Sequence, residues 1–150
     1  MRETAHLRTQ YRWFLPLVTR WLDNDAYGHI NNALYYSFFD TAVNTYLIQA
    51  GVLDPAAGEK IGLVVESRCL YFSPLAFPEP IEAGLRVAHL GNSSVRYEVA
   101  IFAAGAAEAA AQGYFVHVYV DREKRRPVEL PGPLKQALAP LRVDSVDQHR

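Results

Sequence analysis

Cysteine, excess charge of one sign and long apolar runs are all scarce in this chain. Its single cysteine, Cys69, excludes an internal disulfide and fits a reducing compartment. Basic and acidic residues nearly balance, 15 against 16, so there is no electrostatic case for binding nucleic acid. No apolar run is long enough to span a bilayer, and the first residues lack the apolar core of a signal peptide. We therefore expect a cytoplasmic protein with no nucleic-acid or membrane partner.

The composition that remains is typical of a globular domain. Hydrophobic residues make up 50% of the 150 positions and charged residues 21%. A chain of this length can bury a substantial core. We expect one domain over residues 1–150, with its core at about 11–135 and a flexible C-terminal tail after a short, proline-rich helical segment.

Apolar periodicity predicts a long helix over residues 32–50. Asn31 or Asn32 is a suitable N-cap, and Gly51 a suitable stop just beyond the C-terminus. The helix is apolar on more than one face, so we expect other structure to wrap around it. Its main apolar stripe follows helical spacing and comprises Tyr35, Phe38, Phe39, Ala42, Val43 and Tyr46.

Strand-like segments surround this helix. One precedes it at 11–21, where Pro16 indicates either an edge position or a bulge, and four follow it at about 61–72, 80–90, 94–103 and 109–120. Alternation within the later strands predicts an antiparallel sheet with one buried and one solvated face. The order of elements predicts an α+β fold, and its open sheet edges favour a homodimer.

A dense polar stretch, residues 23–32, lies directly before the helix. Asp25 can attack a carbonyl or activate water, and free backbone N–H groups near Asn31 and Asn32 can stabilise the oxygen as it becomes negative. The alternative is that Asp25 caps the loop. We expect a structural role for Asp23. His29 either orients Asp25 or water, or makes a local hydrogen bond.

The run Asp23-x-Asp25-x-x-Gly28-His29-Ile30-Asn31-Asn32-x-x-Tyr35 resembles the acyl-CoA thioesterases of the hotdog fold, above all the 4-hydroxybenzoyl-CoA thioesterase type. Plant acyl-carrier-protein thioesterases have a similar run. The likeness covers roughly residues 11–135. It includes an E-x-R-x-x-Y/F-x-x-P pattern that begins at Glu66 and a V-x-V-D at 118–121.

The resemblance implies a hotdog: a long central helix wrapped by a curved antiparallel sheet of about five strands. It also implies a homodimer or a dimer of dimers, active sites at the dimer interface, and catalysis by Asp25 without a cofactor or metal. Two departures matter. Tyr27 replaces an Asn of the plant enzymes, and the 4-hydroxybenzoyl enzymes generally lack the His-Ile-Asn-Asn run. Aromatic-acyl specificity therefore does not carry over.

The expected site combines the polar stretch with more distant residues. The turn at 122–126 is the densest basic segment and is either solvated or binds the phosphates of CoA. Asp40 is expected to support the site or to pair with Arg68, and Glu66 either pairs with Arg68 or is a second carboxylate. The catalytic candidates are Asp25, His29 and Asn32, and the substrate-binding candidates are Asn31, Tyr35, Glu66, Arg68, Arg122 and Arg125.

The sequence thus predicts a thioesterase that hydrolyses acyl-CoA to an acid and CoA. Two alternatives remain open. The thiol carrier could be acyl-carrier protein, which the His-Ile-Asn-Asn run slightly favours. The chain could instead be a hotdog protein that binds acyl-CoA without catalysis.

Overall fold

One face of a five-stranded antiparallel sheet carries the main helix. The computed structural model describes residues 3–56 and 58–143. The strands lie in the order β1-β3-β4-β5-β2, which confirms the α+β class and the five antiparallel strands. Within this described part, no helix is long and apolar enough to cross a membrane. The elements are β1 (Trp13–Leu17), α1 (Leu34–Gln49), β2 (Lys60–Tyr71), β3 (Ile81–Leu90), β4 (Ser94–Ala103), β5 (Ala111–Asp121) and α2 (Gly132–Leu138).

Helix α1 is shorter than the long central helix that the sequence predicts. It has 16 residues and starts at Leu34, because a turn over Asn31–Ala33 precedes it. Asn31 Oδ1 accepts the Ala33 N–H at 3.0 Å, and the Asn31 carbonyl accepts the Leu34 N–H at 3.0 Å. The N-cap is therefore Ala33, and the prediction of an Asn31 or Asn32 cap was wrong.

The C-terminal end of α1 confirms the predicted glycine stop. Gly51 has a φ of 73°, a conformation that costs glycine no steric strain. Its N–H donates to the Ile48 carbonyl, and the Val52 N–H donates to the Leu47 carbonyl. These two bonds close a Schellman motif and satisfy carbonyls at the helix end.

The core lies between α1 and the inner face of the sheet. Of the predicted stripe on α1, Tyr35, Phe39, Ala42 and Val43 are buried and Phe38 and Tyr46 are partly buried, while Leu47 is buried in addition. The stripe packs against β3, β4 and β5. The short helix α2 and the 3₁₀ turn Ala139–Leu141 add apolar side chains to the same core. The flexible tail that the sequence predicts after these elements lies outside the described residues, which end at 143.

The outer face of the sheet is not simply solvated, and that prediction was wrong. Arg86 and Glu98 are 1% and 7% exposed, and the Arg86 guanidinium lies 2.7 Å from the Glu98 carboxylate. The ring of Tyr11 packs over the Arg86 guanidinium at 4.8 Å. Because the N-terminal segment crosses this face, it buries groups that local alternation assigns to solvent. The ion pair tolerates burial because the guanidinium also donates to the Gln10 carbonyl.

The two edges of the sheet differ. β1 has five residues and contains Pro16, which confirms the predicted edge position. β2 has 12 residues, and its side chains Val64 and Val65 are 49% and 60% exposed. A long edge strand with exposed apolar side chains is suited to pairing with another strand.

Gly113 marks the closest approach of β5 to its neighbours. A Cβ at this position would lie 1.9 Å from the Arg68 carbonyl oxygen of β2 and 2.8 Å from the Phe39 ring of α1. Real side chains do not occupy such distances, so the strand must move or the helix must lift. The absence of a side chain here therefore sets how tightly strand and helix pack.

We predict that Gly113→Ala destabilises the fold by more than about 3 kcal/mol, the upper range for overpacking, because a Cβ would collide with the backbone of the paired strand β2 and with the fully buried Phe39 ring. Urea unfolding followed by circular dichroism measures this. Gly132→Ala is the matched control, since a Cβ there meets no atom within 4 Å. Equal stability of the two variants would contradict the packing argument.

His117 is a second unusual core residue. It points inward from β5, is 5% exposed, and lies edge-on to the Tyr97 ring with the centroids 5.0 Å apart. Burial lowers the pKa of His117 from 6.5 to about 4, and the negative charge of Asp40 opposes this only in part. Tyr119 also faces the imidazole and is a neutral phenol. The histidine is therefore uncharged at neutral pH.

We predict that His117 makes the protein sensitive to acid. Its folded pKa lies below its unfolded value, so the unfolded chain binds more protons between about pH 6.5 and 4, and stability falls as the pH falls through that window. Between pH 7 and 4.5 the wild type should lose about 2 to 3 kcal/mol more than His117→Phe. Urea titrations at both pH values test this. His89→Gln, at an exposed histidine, is the control, and parallel losses in wild type and His117→Phe would sink the idea.

Candidate active site

The polar stretch before α1 forms a narrow hairpin. Asn24 and Ile30 pair as an antiparallel bridge, and the Asp25 N–H donates to the His29 carbonyl at 2.9 Å. The Gly28 N–H donates to the Asp25 carbonyl at 3.1 Å and closes the turn. Gly28 has a φ of 82°, which favours glycine at this position. The hairpin brings Asp25 and His29 opposite one another.

Buried polar groups anchor the base of the hairpin. Asp23 is 2% exposed and accepts hydrogen bonds from the backbone and the guanidinium of Arg20 at 2.8 and 2.9 Å. Asn24 Oδ1 accepts the Phe77 N–H at 3.0 Å, and the Ile30 N–H donates to the Leu75 carbonyl at 2.8 Å. Asp23 thus has the structural role that the sequence suggests, and the hairpin is fixed to the loop between β2 and β3.

Asp25 itself is half-buried and keeps one carboxylate oxygen unused. Oδ1 accepts the Tyr27 N–H at 2.8 Å. This bond forms the local loop cap that the sequence offered as the alternative to a catalytic role. The other oxygen has no hydrogen-bond partner among residues 3–56 and 58–143. A turn-forming carboxylate held by one oxygen can still present the second to a ligand.

An open cleft of about 310 Å³ lies beside the hairpin, at the start of α1 and the end of β2. Of the predicted residues it brings together His29, Asn32 and Tyr35, whereas Asp25 lies on the adjoining turn and does not line it. Sequence reasoning missed its far wall. The signal was the break after β2, where the strand gives way to a serine and a proline. That wall consists of Tyr71, Phe72, Ser73 and Pro74.

Two tyrosines that line the cleft pack against each other. The Tyr35 and Tyr71 rings meet nearly at right angles with their centroids 5.2 Å apart, and the Tyr71 hydroxyl donates to the Asn32 carbonyl at 2.8 Å. Burial raises the pKa of Tyr35 to about 12 and also raises that of Tyr71. Both phenols therefore stay protonated and uncharged at neutral pH.

One backbone donor at the start of α1 is left over. The Ala33 and Leu34 N–H groups both donate to Asn31, as described above. The Asn32 N–H has no acceptor in the described ranges, although Asn32 lines the cleft. An unpaired N–H at the positive end of a helix is suited to binding a negative oxygen.

Glu66 and Arg68 do not pair with each other, contrary to expectation. Glu66 accepts the Tyr114 hydroxyl, and the Arg68 guanidinium lies 2.8 Å from the Glu3 carboxylate. Both stand on the exposed edge strand β2 and outside the cleft. Asp40 does not reach Arg68 either. It is exposed on α1, where the Asn44 amide donates to its carboxylate at 3.3 Å.

The basic turn lies at the other end of β2. The Arg122 guanidinium donates to the Gly58 carbonyl and, at 3.2 Å, to the Pro55 carbonyl, so it partly serves to hold the loop before β2. Arg125 stays exposed and donates to the Arg122 carbonyl at 3.0 Å. A 12-residue strand is about 36 Å long, so within one protomer this turn is remote from the cleft. Among the residues described, no group of three or more His, Cys, Asp or Glu side chains could hold a metal ion.

Comparisons with known proteins agree on the fold. The PA5185 protein of Pseudomonas aeruginosa strain PAO1 is 60% identical, and its crystal structure aligns with a TM-score of 0.91 over 95% of this chain and 99% of its own. A Thermus thermophilus thioesterase complexed with coenzyme A and Zn is 29% identical, with a TM-score of 0.72 over 88% of this chain and 95% of its own. Slr0204, a 1,4-dihydroxy-2-naphthoyl-CoA thioesterase from Synechocystis, shares the fold at 16% identity, with a TM-score of 0.77 over 83% of this chain and 93% of its own.

No curated protein matches the sequence significantly. The model of the thioesterase-like superfamily, however, matches residues 19–138, which include the hairpin, the cleft and the whole sheet beyond β1. The match covers most of the sequence. This chain therefore belongs to the thioesterase-like superfamily.

Proposed function

We propose that this protein hydrolyses acyl-CoA thioesters to a free acid and CoA. Membership of the thioesterase-like superfamily supports thioester hydrolysis in general. The observation that carries the proposal for this site is the unpaired N–H of Asn32. Asn32 lines the cleft, and Asp25 lies on the hairpin turn beside that cleft. CoA as the carrier is supported by the Thermus thermophilus thioesterase, whose structure is complexed with coenzyme A.

In the proposed reaction the thioester carbonyl oxygen points at the Asn32 N–H. That oxygen gains negative charge as the carbonyl carbon becomes tetrahedral, and a preorganised donor at a helix start stabilises the developing charge. Losing one such donor typically costs a factor of about 100 to 1,000 in rate, so its placement is a major determinant of turnover. The Tyr71 hydroxyl supports it by fixing the Asn32 carbonyl.

Asp25 supplies or activates the nucleophile through its unused oxygen. Either the carboxylate attacks the carbonyl carbon and water then hydrolyses the anhydride, or Asp25 takes a proton from the attacking water. In both routes the carbon–sulfur bond breaks and the CoA thiolate leaves to be protonated. His29 lies in the cleft, where it orients water or the thioester, and Tyr35 forms the wall against which the acyl group packs. Asn31 builds the turn that exposes the donor.

The proposed assembly is a hotdog homodimer, each protomer being one domain, joined through the β2 edges or further into a dimer of dimers. The exposed Val64 and Val65 support this interface. In an antiparallel pair, the start of one β2 lies beside the end of the other. The basic turn with Arg122 and Arg125 would then approach the cleft of the second protomer and bind the CoA phosphates, with Glu66 and Arg68 along the shared edge.

We predict that Asp25→Asn lowers kcat for acyl-CoA hydrolysis at least about 100-fold, because the amide neither attacks nor takes a proton. Thiol release from a panel of aliphatic and aromatic acyl-CoAs measures it, and the same acyl groups on acyl-carrier protein separate the two carriers. Glu108→Gln, which removes an exposed carboxylate that does not line the cleft, is the control. Unchanged turnover in Asp25→Asn would rule out the assignment.

A second prediction concerns the interface. Val65→Lys places a charge on the open edge of β2, so it should convert dimers into monomers and lower hydrolysis together. Sedimentation velocity and thiol release, measured on the same sample, test this. Val18→Lys is the control, since Val18 is 88% exposed and lies outside β2. A wild type that is monomeric, or a Val65→Lys variant that stays dimeric, would refute the proposed interface.

A further inference from the structure

Tyr35 carries a hydroxyl group that the fold does not use. The residue is 3% exposed, and its ring packs edge-on to the rings of Tyr71 and Phe38, with the centroids 5.2 and 5.8 Å apart. These contacts fix the direction of the phenol. Its hydroxyl nevertheless has no hydrogen-bond partner among residues 3–56 and 58–143. Side-chain polar atoms of nearly buried residues are usually paired, so this hydroxyl is an exception that needs a reason.

The Tyr35 oxygen is not sealed inside the core. Within the described ranges, His117 Nε2 is the one side-chain nitrogen or oxygen that is both fully buried and unpaired. The Tyr35 oxygen is unpaired too, so it must contribute to the small area of this residue that stays exposed. Tyr35 lines the cleft together with Asn32. The hydroxyl is therefore open to a ligand in that cleft.

The titratable neighbours of this hydroxyl are engaged elsewhere. Burial, assisted by Cys69 and Glu79, raises the pKa of Tyr35 to about 12. The Cys69 thiol donates to the Leu70 carbonyl at 3.8 Å, and the Glu79 carboxylate accepts the Ala76 N–H at 2.9 Å. The phenol therefore keeps its proton at neutral pH and can donate it in a hydrogen bond to a ligand.

Tyr35 and the unpaired N–H of Asn32 belong to one turn of the chain. The Tyr35 N–H donates to the Asn32 carbonyl at 3.3 Å, and the Tyr71 hydroxyl donates to the same carbonyl at 2.8 Å. Side chains on a helix tilt toward its N-terminus, so the Tyr35 side chain leans back toward the turn that contains Asn32. Two free donors, one from the backbone and one from a side chain, thus belong to neighbouring residues that line one cleft.

We propose that the Tyr35 hydroxyl is a second donor to the thioester carbonyl oxygen, which the Asn32 N–H and the Tyr35 O–H hold together. This rests on the proposed hydrolysis and gives Tyr35 a catalytic role in addition to that of a wall. An oxygen that becomes negative can accept more than one hydrogen bond, and preorganised donors in a site with little water stabilise it strongly. The phenol keeps its proton throughout. The negative charge re-forms the carbonyl when the carbon–sulfur bond breaks, and the thiolate leaves with the bonding electrons.

Tyr35→Phe removes only the hydroxyl, and the variant should fold like the wild type because that hydroxyl has no partner inside the described chain. Its kcat for acyl-CoA hydrolysis should fall about 100-fold, the typical loss for one such donor, with KM little changed. Tyr46→Phe is the matched control. It removes the same atom from the same helix, where the hydroxyl donates to the Ala137 carbonyl at 2.6 Å and lies outside the cleft. An unchanged kcat in Tyr35→Phe would overturn the proposal.

A second measurement reads the hydrogen bond without any hydrolysis. In acetonyl-CoA a methylene group separates the carbonyl from the sulfur, so the ligand is a ketone that cannot be hydrolysed. Its carbonyl stretch, followed by isotope-edited infrared spectroscopy, should lie at a lower frequency on the wild type and on Tyr46→Phe than on Tyr35→Phe, because each donor weakens the C=O bond. Equal frequencies on the wild type and Tyr35→Phe, or a ketone that does not bind, would refute the second donor.

The two measurements separate this proposal from the thioesterase proposal. A wild type that hydrolyses no acyl-CoA, but whose bound ketone responds to Tyr35→Phe, refutes hydrolysis and supports the donor. Turnover that is lost in Asp25→Asn and kept in Tyr35→Phe refutes the donor and supports hydrolysis.

Discussion

The distance at which α1 can approach the sheet determines where the cleft lies. Phe39 meets β5 at Gly113, where no side chain intervenes, and Phe39 is fully buried as a result. Close packing of this kind fixes a helix along its axis as well as in depth. The N-terminal end of α1 is thereby held next to the end of β2, where Tyr71 reaches Asn32. This one contact thereby holds the start of α1 against the far wall of the cleft.

Local patterns predicted what depends on local contacts. Alternation in β3 and β4 identified the inward face correctly, and Gly51 marked the end of α1, because periodicity and positive φ are properties of a short segment. The burial of Arg86 and Glu98 could not be predicted in that way. It depends on the N-terminal segment, which packs Tyr11 over the pair and whose Gln10 carbonyl lies 76 positions from Arg86 in the chain. Contacts between segments so far apart in the chain do not change the alternation of apolar and polar residues along a strand.

The site shows the same division. The hairpin with Asp25 and His29 was predictable because its residues are neighbours in sequence. The far wall of the cleft was not, because Tyr71 comes from a strand and lies 39 positions after Asn32. The start of α1 was predicted too early for a further reason. Asparagine before an apolar run signals a cap, but Asn31 uses its side chain to bind Ala33 in a separate turn. That turn leaves the Asn32 N–H unpaired. The position at which the cap prediction was wrong is therefore next to the donor on which the proposed chemistry depends.

The unequal sheet edges connect assembly to the proposed catalysis. β1 is short and carries Pro16, which blocks pairing, whereas β2 offers a long edge with exposed apolar side chains. The cleft lies at the end of β2, and the dense basic turn lies at its start. A phosphate-bearing thiol carrier that reached the cleft of an isolated protomer would find that turn at the far end of the strand. Pairing of two β2 edges removes that separation without moving any residue within a protomer. In the proposed dimer the exposed edge is a functional element, because it joins the end of the strand that carries the proposed carbonyl site to the end that carries the positive charge.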